Sequence, residues 1–202
     1  MWGKQKMKAE GPEPRRRIPV EVSARHCHLS KEDLEKLFSV GYELKSMRQL
    51  YQPSDFACEE TIDIQLGNKK IEKVRVVGPL RAQTQVEISL TDAIGSGVMP
   101  PIKLSGELMG TSPVTLHGPK GSVSLNEGLI VALRHIHCAT VEAAKLGLKN
   151  GSLVSVQVGT ERPVIFENVA VRVRDGYKLC LHLDTDEGNA AGINKIGEGI
   201  IL

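Results

Sequence analysis

The sequence predicts a mainly β fold made of small barrels or sandwiches. Near the start, Ile18, Val20 and Val22 alternate with polar or prolyl residues, which is the period of a half-buried strand. Glycine and proline recur roughly every ten positions through the middle of the chain, which is typical of short strands joined by turns. A local pattern of strand, histidine pair and helix also occurs twice, which indicates that the chain builds the same local structure two times.

The first half of the chain is predicted to contain one helix and several strands. After the first histidine pair, Ser30 and Asp33 resemble a capping box, and they predict a short helix that stops at Gly41. Alternating apolar residues then predict strands that are bounded by turns such as Gly78-Pro79. These strands cover residues 61–66, 74–77 and 84–90.

The second half of the chain repeats this arrangement. A strand in the stretch 129–138 contains the second histidine pair, and Thr140 is placed to cap a helix that ends at Gly147. Acidic residues from Asp184 onward predict the start of a last helix, because acids are favoured at the positive end of the helix dipole. The strands predicted between these helices cover residues 153–158, 169–173 and 178–183.

The composition is that of an ordinary globular protein. The 202 residues can form one large domain or two small ones, with 41% hydrophobic residues and a net charge of +2. Aromatic residues make up only 3%, and the basic residues concentrate near the start, so we expect no nucleic-acid partner. The sequence has no apolar run long enough for a membrane span and no secretory signal, so we expect a cytoplasmic protein that does not contact a membrane.

The start of the chain and the cysteines give two further expectations. Residues 1–17 combine basic residues with glycine and prolines, which predicts a flexible basic tail whose first ten residues could form a brief helix on a partner. The four cysteines lack Cys-x-x-Cys spacing, which favours neither a disulfide framework nor a zinc ribbon.

Five of the six histidines are candidates for metal binding. His26 and His28 are two residues apart, as are His135 and His137, so each pair lies on one face of a strand. His182 stands in a further predicted strand. Each pair can hold one ion, and imidazole nitrogen suits zinc, copper, nickel or iron. The alternative interpretation is a set of surface histidines at strand ends.

Three other residues are candidates for chemistry. Glu87 lies on the polar face of its predicted strand and is either an oxygen ligand or a solvated carboxylate. Arg81 either reaches an anion through its guanidinium or is a surface charge. Cys27 stands between two histidines, but strand alternation turns it away from them, which argues against a nucleophile. The sequence contains no Gly-x-Ser-x-Gly elbow, Walker loop or dinucleotide fingerprint.

Four segments together form a specific pattern: VSARHCHLS at 22–30, GPLRAQTQVEIS at 78–89, RHIH at 134–137 and HLDTDEGNAA at 182–191. From residue 18 onward the chain resembles the phosphate propanoyltransferases, which are phosphotransacylases associated with propanediol degradation and bacterial microcompartments. One departure is Cys27, which stands where an apolar residue is common in that family.

The resemblance implies two small β-barrels with short capping helices, the second inserted in the first, and an active site between them. The first barrel would comprise residues 18–24 and 133–202, and the inserted second barrel residues 25–132, after the tail at 1–17. The resemblance also implies a homo-oligomer, namely a dimer, and association with a microcompartment through the N-terminal tail. This tail is short for a targeting helix of that family.

The resemblance further implies reversible transfer of a short acyl group, propanoyl or acetyl, between coenzyme A and inorganic phosphate. Arg81 would contact phosphate as the catalytic residue, and coenzyme A would lie along Ser23, Arg75 and Asn189. Two zinc ions per chain would be bound, with these ligands: His26, His28 and Glu87 for one ion, and His135, His137 and His182 for the other.

Two other functions are compatible with the same residues. A zinc hydrolase would cleave a thioester or a phosphoester with water, whereas a structural zinc protein would use the histidines to hold a scaffold that docks through its basic tail. Structural zinc is normally closed by four protein ligands, so three ligands for each ion favour a catalytic role.

Overall fold

The computed structural model describes residues 16–202, which fold into two β-barrels with four short helices. Residues 1–15, which include the predicted brief helix and most of the predicted tail, lie outside the described residues. The strands are β1 (Arg17–Ser23), β2 (His26–His28), β3 (Ser46–Gln49), β4 (Phe56–Leu66), β5 (Lys69–Gly78), β6 (Gln85–Ile88), β7 (Ile102–Lys103), β8 (Ser112–His117), β9 (Ser122–Ala132), β10 (His135–Cys138), β11 (Leu153–Val158), β12 (Val164–Val173), β13 (Cys180–Asp184) and β14 (Ile196–Ile201). The helices are α1 (Lys31–Leu37), α2 (Leu90–Ala93), α3 (Thr140–Leu146) and α4 (Thr185–Ala190).

The first barrel closes through six strands in the order β1-β13-β10-β12-β11-β14, since β14 pairs with β1. Its core contains buried aliphatic side chains from several strands, including Ile18, Ile136 and Leu181.

The second barrel closes through β4, β5, β2, β6, β9 and β8, and two more strands extend it, with β3 on β4 and β7 on β9. Its core is separate and includes Leu29 and Leu116. The mainly β fold with two barrels is thus confirmed.

The chain crosses from one barrel to the other twice, each time just before a histidine pair. Strand β1 belongs to the first barrel and β2 to the second, although only two residues separate them. Likewise β9 belongs to the second barrel and β10 to the first. Where the sequence predicts a single strand that runs into each histidine pair, the structure therefore has two strands that belong to different sheets.

Two arginines fix these crossings. Arg25 donates to Asp92 in α2 at 2.6 Å, and Arg134 donates to Glu187 in α4 at 2.7 Å. Both acids stand third in their helix and also accept from the backbone of the N-cap residue. Because acids are favoured in the first turn of a helix, each carboxylate binds an arginine from a position where the helix dipole already stabilises it.

The predicted helices are largely confirmed, with differences at their ends. Ser30 caps α1 by accepting from the backbone of Asp33, and Gly147 ends α3 in a left-handed conformation with a φ of 69°. Thr140 is the first residue of α3 rather than its cap, since Glu142 binds the backbone N–H of the preceding residue at 3.1 Å. Helix α2 was not predicted, because four residues are too few for a periodic pattern.

Two further observations concern the cysteines and the helices. All four cysteines are buried and free, and Cys27 belongs to the core of the second barrel. Among residues 16–202, no helix combines the length and the hydrophobicity that a membrane crossing requires.

The core of the first barrel can be tested with one pair of substitutions. Ile18 on β1 is 1% exposed, whereas Ile196 on the neighbouring β14 is 71% exposed. We expect Ile18→Ala to lower the free energy of unfolding by about 2–5 kcal/mol, because it removes buried methyl groups and leaves a cavity. The same change at Ile196 should cost no more than about 0.5 kcal/mol. Urea unfolding followed by circular dichroism measures both, and equal effects would contradict this packing.

Candidate active site between the two barrels

The predicted metal ligands lie on the outer faces of the two barrels. In β2, Cys27 points into the core of its barrel, which leaves His26 and His28 on the outer face. In β10, the flanking core residues likewise leave His135 and His137 outside the barrel. Burial of alternate residues in each barrel therefore turns both histidine pairs outward.

His26, His28 and Glu87 form the first group of candidate ligands. Strand β6 pairs with β2 so that Glu87 lies opposite His26. Potential ligand atoms of the three residues all lie within 4.8 Å of one another. Glu87 Oε2 is 3.7 Å from His26 Nε2, and the two imidazole centroids are 5.1 Å apart. The three donors thus surround a common point.

Backbone carbonyls fix the ring nitrogens of this group. His26 Nδ1 lies 2.9 Å from the carbonyl oxygen of Ala24, and His28 Nδ1 lies 3.0 Å from that of Val77. A carbonyl can only accept, so both Nδ1 atoms carry the hydrogen and donate it. Each Nε2 therefore has a free lone pair, as in a histidine that binds metal through Nε2.

Glu87 is oriented by two donors that leave one carboxylate oxygen for His26. Its Oε1 accepts from Gln85 Nε2 at 2.5 Å and from Ser105 Oγ at 2.7 Å. Burial alone would raise the pKa of this carboxyl, but His26 and His28, together with Ser105, lower it to about 2. Glu87 is therefore a buried, ionised carboxylate and not the solvated one that its polar strand face also allowed.

His135, His137 and His182 form the second group. His182 on β13 lies opposite His135 on β10, and the centroids of these two rings are 5.3 Å apart. The ring of His137 is 4.6 Å from that of His135 and 4.8 Å from that of His182. His135 Nδ1 lies 2.8 Å from the carbonyl oxygen of Leu133, which again leaves Nε2 free. His137 Nδ1 is buried and has no hydrogen-bond partner among the described residues.

His182 also has neighbours that the sequence analysis missed. Its Nδ1 lies 3.5 Å from Glu21 Oε2, and its Nε2 lies 3.3 Å from the side-chain nitrogen of Gln52. Gln52 comes from the second barrel, and its amide also bonds both the N–H and the C=O of Lys178. Potential ligand atoms of Glu21, Cys180 and His182 lie within 4.8 Å of one another, so these residues are an alternative ligand set for His182.

The two groups share one site. Burial lowers the pKa of His135, and it lowers that of His182 to about 3, while the charge of Glu87 opposes both shifts. The electrostatic influence of Glu87 therefore extends from the first group to the second. Gln52 adds a direct contact, because it extends from the second barrel to His182 in the first. The geometry thus brings all six candidate ligands to the interface between the barrels.

Arg81 joins the site through a shared hydroxyl group. Its guanidinium donates to Ser105 Oγ at 2.8 Å, and this same hydroxyl donates to Glu87. Gln85 also donates to Ser105, at 2.9 Å, and accepts from the backbone of Gly106 at 2.7 Å. A half-buried arginine and a buried candidate ligand are thus held by one serine.

The three residues expected to contact coenzyme A come from three different elements, β1, β5 and α4. Arg75 is paired with His26 across β2 and β5, and it donates to two backbone carbonyls at 2.8 and 2.9 Å. Ser23 ends β1, next to Val22, against which Gly188 of α4 packs so closely that a Cβ would lie 2.6 Å from a methyl group. Asn189 follows that glycine and is exposed. No side-chain hydrogen bond within residues 16–202 joins any of the three to the candidate ligands.

The site residues that the sequence analysis did not predict differ in whether a local sequence pattern indicates their position. Gln85 shares the polar face of its strand with Glu87, so the period of two already placed them together. Glu21 likewise alternates with the core residues of β1. Ser105 and Gln52 lie in irregular segments between strands, where no periodic pattern predicts a position.

Known proteins match most of this chain. A family model described as phosphate propanoyltransferase matches residues 19–194. The phosphate propanoyltransferase of Lachnoclostridium phytofermentans is 47% identical over 177 residues, which cover 87% of this chain and 83% of that protein. The corresponding protein of Thermotoga maritima is 48% identical over 178 residues, which cover 88% and 85%. That of Priestia megaterium is 48% identical over 184 residues, covering 91% and 85%. The chain therefore belongs to the phosphate propanoyltransferase family.

Proposed function

We propose that this protein is a zinc-dependent phosphotransacylase that moves a propanoyl group, and also an acetyl group, between coenzyme A and inorganic phosphate. Membership of the family supports the transfer of an acyl group to phosphate. The observation that carries the proposal is the group of His26, His28 and Glu87, whose potential ligand atoms lie within 4.8 Å of one another. Three imidazoles cluster on the other barrel, and Arg81 is held beside Glu87 through Ser105.

The proposed reaction is balanced without any further reactant. An oxygen of hydrogen phosphate forms a bond to the carbonyl carbon of propanoyl-CoA, and the bond from that carbon to sulfur breaks. The proton of hydrogen phosphate ends on the sulfur, so the products are propanoyl phosphate and free coenzyme A. The reverse reaction consumes the acyl phosphate by the same steps.

We assign the six candidate ligands to two zinc ions. In this proposal His26, His28 and Glu87 hold one ion, and the histidines of the second group hold the other. The free Nε2 lone pairs support this assignment, as does the buried Nδ1 of His137, which has no partner in the described part of the chain. When bound, zinc with three protein ligands keeps an open position and supplies Lewis acidity for the thioester carbonyl and the leaving thiolate.

The other residues of the site would bind and orient the two substrates. Ser105 occupies only part of the guanidinium of Arg81, and the remaining N–H groups match the geometry of a phosphate. A phosphate held there reacts as if in an intramolecular reaction with a thioester bound beside it. We assign Ser23, Arg75 and Asn189 to coenzyme A. Dimerisation and association with a microcompartment through residues 1–17 stay predictions.

The dependence on phosphate tests the reaction. We expect thiol release from propanoyl-CoA to require added phosphate, because phosphate is the acceptor of the acyl group. Treatment with a chelator should abolish the release, and added zinc should restore it. The measurement is a colorimetric thiol assay with acetyl, propanoyl and butanoyl thioesters, with and without phosphate. Release that is equally fast without phosphate would instead identify a hydrolase.

The ligand set of His182 can be tested through zinc content. We expect His137→Ala to lower the content from two zinc ions to about one per chain and to remove most turnover, because two ligands hold zinc poorly. Cys180→Ala should keep both ions, because burial raises the pKa of this thiol to about 12 and the side chain is completely buried. Elemental analysis of the purified variants measures their zinc content and so distinguishes the two ligand sets of His182. Loss of zinc from Cys180→Ala, with none from His137→Ala, would favour the alternative set.

Ser105 is expected to position both Arg81 and Glu87. We expect Ser105→Ala to lower kcat/KM for phosphate about 10- to 100-fold, because each hydrogen bond to a charged group contributes about 1.5–3 kcal/mol. The KM for propanoyl-CoA should change little. Ser105→Thr keeps the hydroxyl and serves as the matched control, with activity close to that of the unmodified protein. Steady-state kinetics with each substrate varied in turn measures both effects, and a loss confined to thermal stability would argue against this role.

A further inference from the structure

Arg172 on β12 lies on the same outer face as the second group of histidines. Strand β12 pairs in parallel with β10, and the register places Arg172 beside His137 and Ala170 beside His135. The intervening Val171 is buried in the core of the first barrel. Since side chains in register on neighbouring strands share a face, Arg172 points to the same side as His137.

No partner neutralises this guanidinium within residues 16–202. The described residues contain no hydrogen bond and no ion pair from the side chain of Arg172, which is half-buried. The other arginine beside a histidine pair of this barrel, Arg134, is bound by Glu187. A half-buried guanidinium without a carboxylate costs free energy unless an anion binds it. The position of Arg172 therefore indicates a binding site for an anion that the chain itself does not supply.

Arg172 and Arg81 come from opposite barrels, Arg172 from β12 and Arg81 from the segment between β5 and β6. Burial lowers the pKa of Arg81, and the charge of Arg172 adds to that effect. His137, which is in register with Arg172, lies against the rings of His135 and His182, whose centroids are 4.6 and 4.8 Å away. Gln52 of the second barrel contacts His182, and Ser105 of that barrel holds Arg81 beside Glu87. The two guanidiniums therefore lie on opposite sides of the interface between the barrels.

We propose that Arg172 is a second phosphate-binding residue, which binds inorganic phosphate, or the phosphoryl group of an acyl phosphate, opposite Arg81. This inference rests on the proposed function, because it assigns to the same site a residue that completes the phosphate pocket. Phosphate is the anion that fits best, since a dianion can accept hydrogen bonds from two guanidiniums at once. Coenzyme A is assigned instead to Arg75, which lies beside His26 on β5.

The test compares Arg172→Ala with the unmodified protein, both loaded with zinc. We expect the KM for phosphate to rise about tenfold or more, which is the effect of losing one hydrogen bond between charged groups. The KM for propanoyl-CoA and the zinc content should stay within about twofold. Arg172→Lys keeps the charge but loses the planar guanidinium, so its KM for phosphate should lie between that of the unmodified protein and that of Arg172→Ala. Arg162→Ala removes the same charge from an exposed turn of the same barrel and should change neither KM.

Direct binding separates this inference from the proposed reaction. Calorimetric titration of the zinc-loaded proteins with inorganic phosphate requires no turnover and should show the same loss of affinity in Arg172→Ala. If the unmodified protein releases thiol without phosphate, the proposed reaction fails, while weaker phosphate binding by Arg172→Ala would still support this residue. Unchanged phosphate affinity in folded Arg172→Ala and Arg172→Gln overturns the inference, as does an increase confined to the KM for propanoyl-CoA.

Discussion

The alternation of side chains along β2 and β10 is the constraint on which the whole site depends. Cys27 and Ile136 are buried completely in separate cores, and each stands between two histidines. A slip of one residue in either strand would bury two imidazoles in a barrel and expose the apolar residue in the site. The burial that stabilises each barrel therefore also fixes which face presents the histidines. Fold stability and site geometry have the same physical origin here.

The two crossings of the chain turn this local rule into a shared site. Because each histidine pair follows directly on a crossing, each lies at the boundary of its barrel and faces the other one. Arg25 and Arg134 hold these crossings through acids in the first turns of α2 and α4. The repeat that is visible in the sequence is thus also a repeat of three-dimensional structure. Each copy provides a strand junction, an anchoring arginine and a pair of candidate ligands.

The sequence predicted the parts of the site that depend on local periodicity. The faces of the histidine pairs, the inward position of Cys27 and the cap at Ser30 all follow from spacings of two or three residues. The sequence did not predict that each of these strands breaks at a crossing, because the residues on both sides of the break have the same alternating pattern. Arg172 was missed for a related reason, since its position beside His137 depends on the parallel register of β10 and β12. Glu87 left two interpretations open, because its burial depends on contacts with distant segments, such as the one that contains Ser105, which no local pattern predicts.

The choice of ligand types leaves the positive charge of the candidate site uncompensated until an anion binds. Five of the six candidate ligands are imidazoles, which are neutral when they bind a metal, and Glu87 is the single carboxylate among them. A divalent cation held by such ligands keeps most of its positive charge, in contrast to a site built from carboxylates. Together with Arg81 and Arg172, the site would then carry an excess of positive charge that no group of the described chain neutralises. In the proposed reaction, anionic substrates would supply this missing charge, so binding of phosphate and of the thiolate of coenzyme A would recover the electrostatic cost of assembling the empty site.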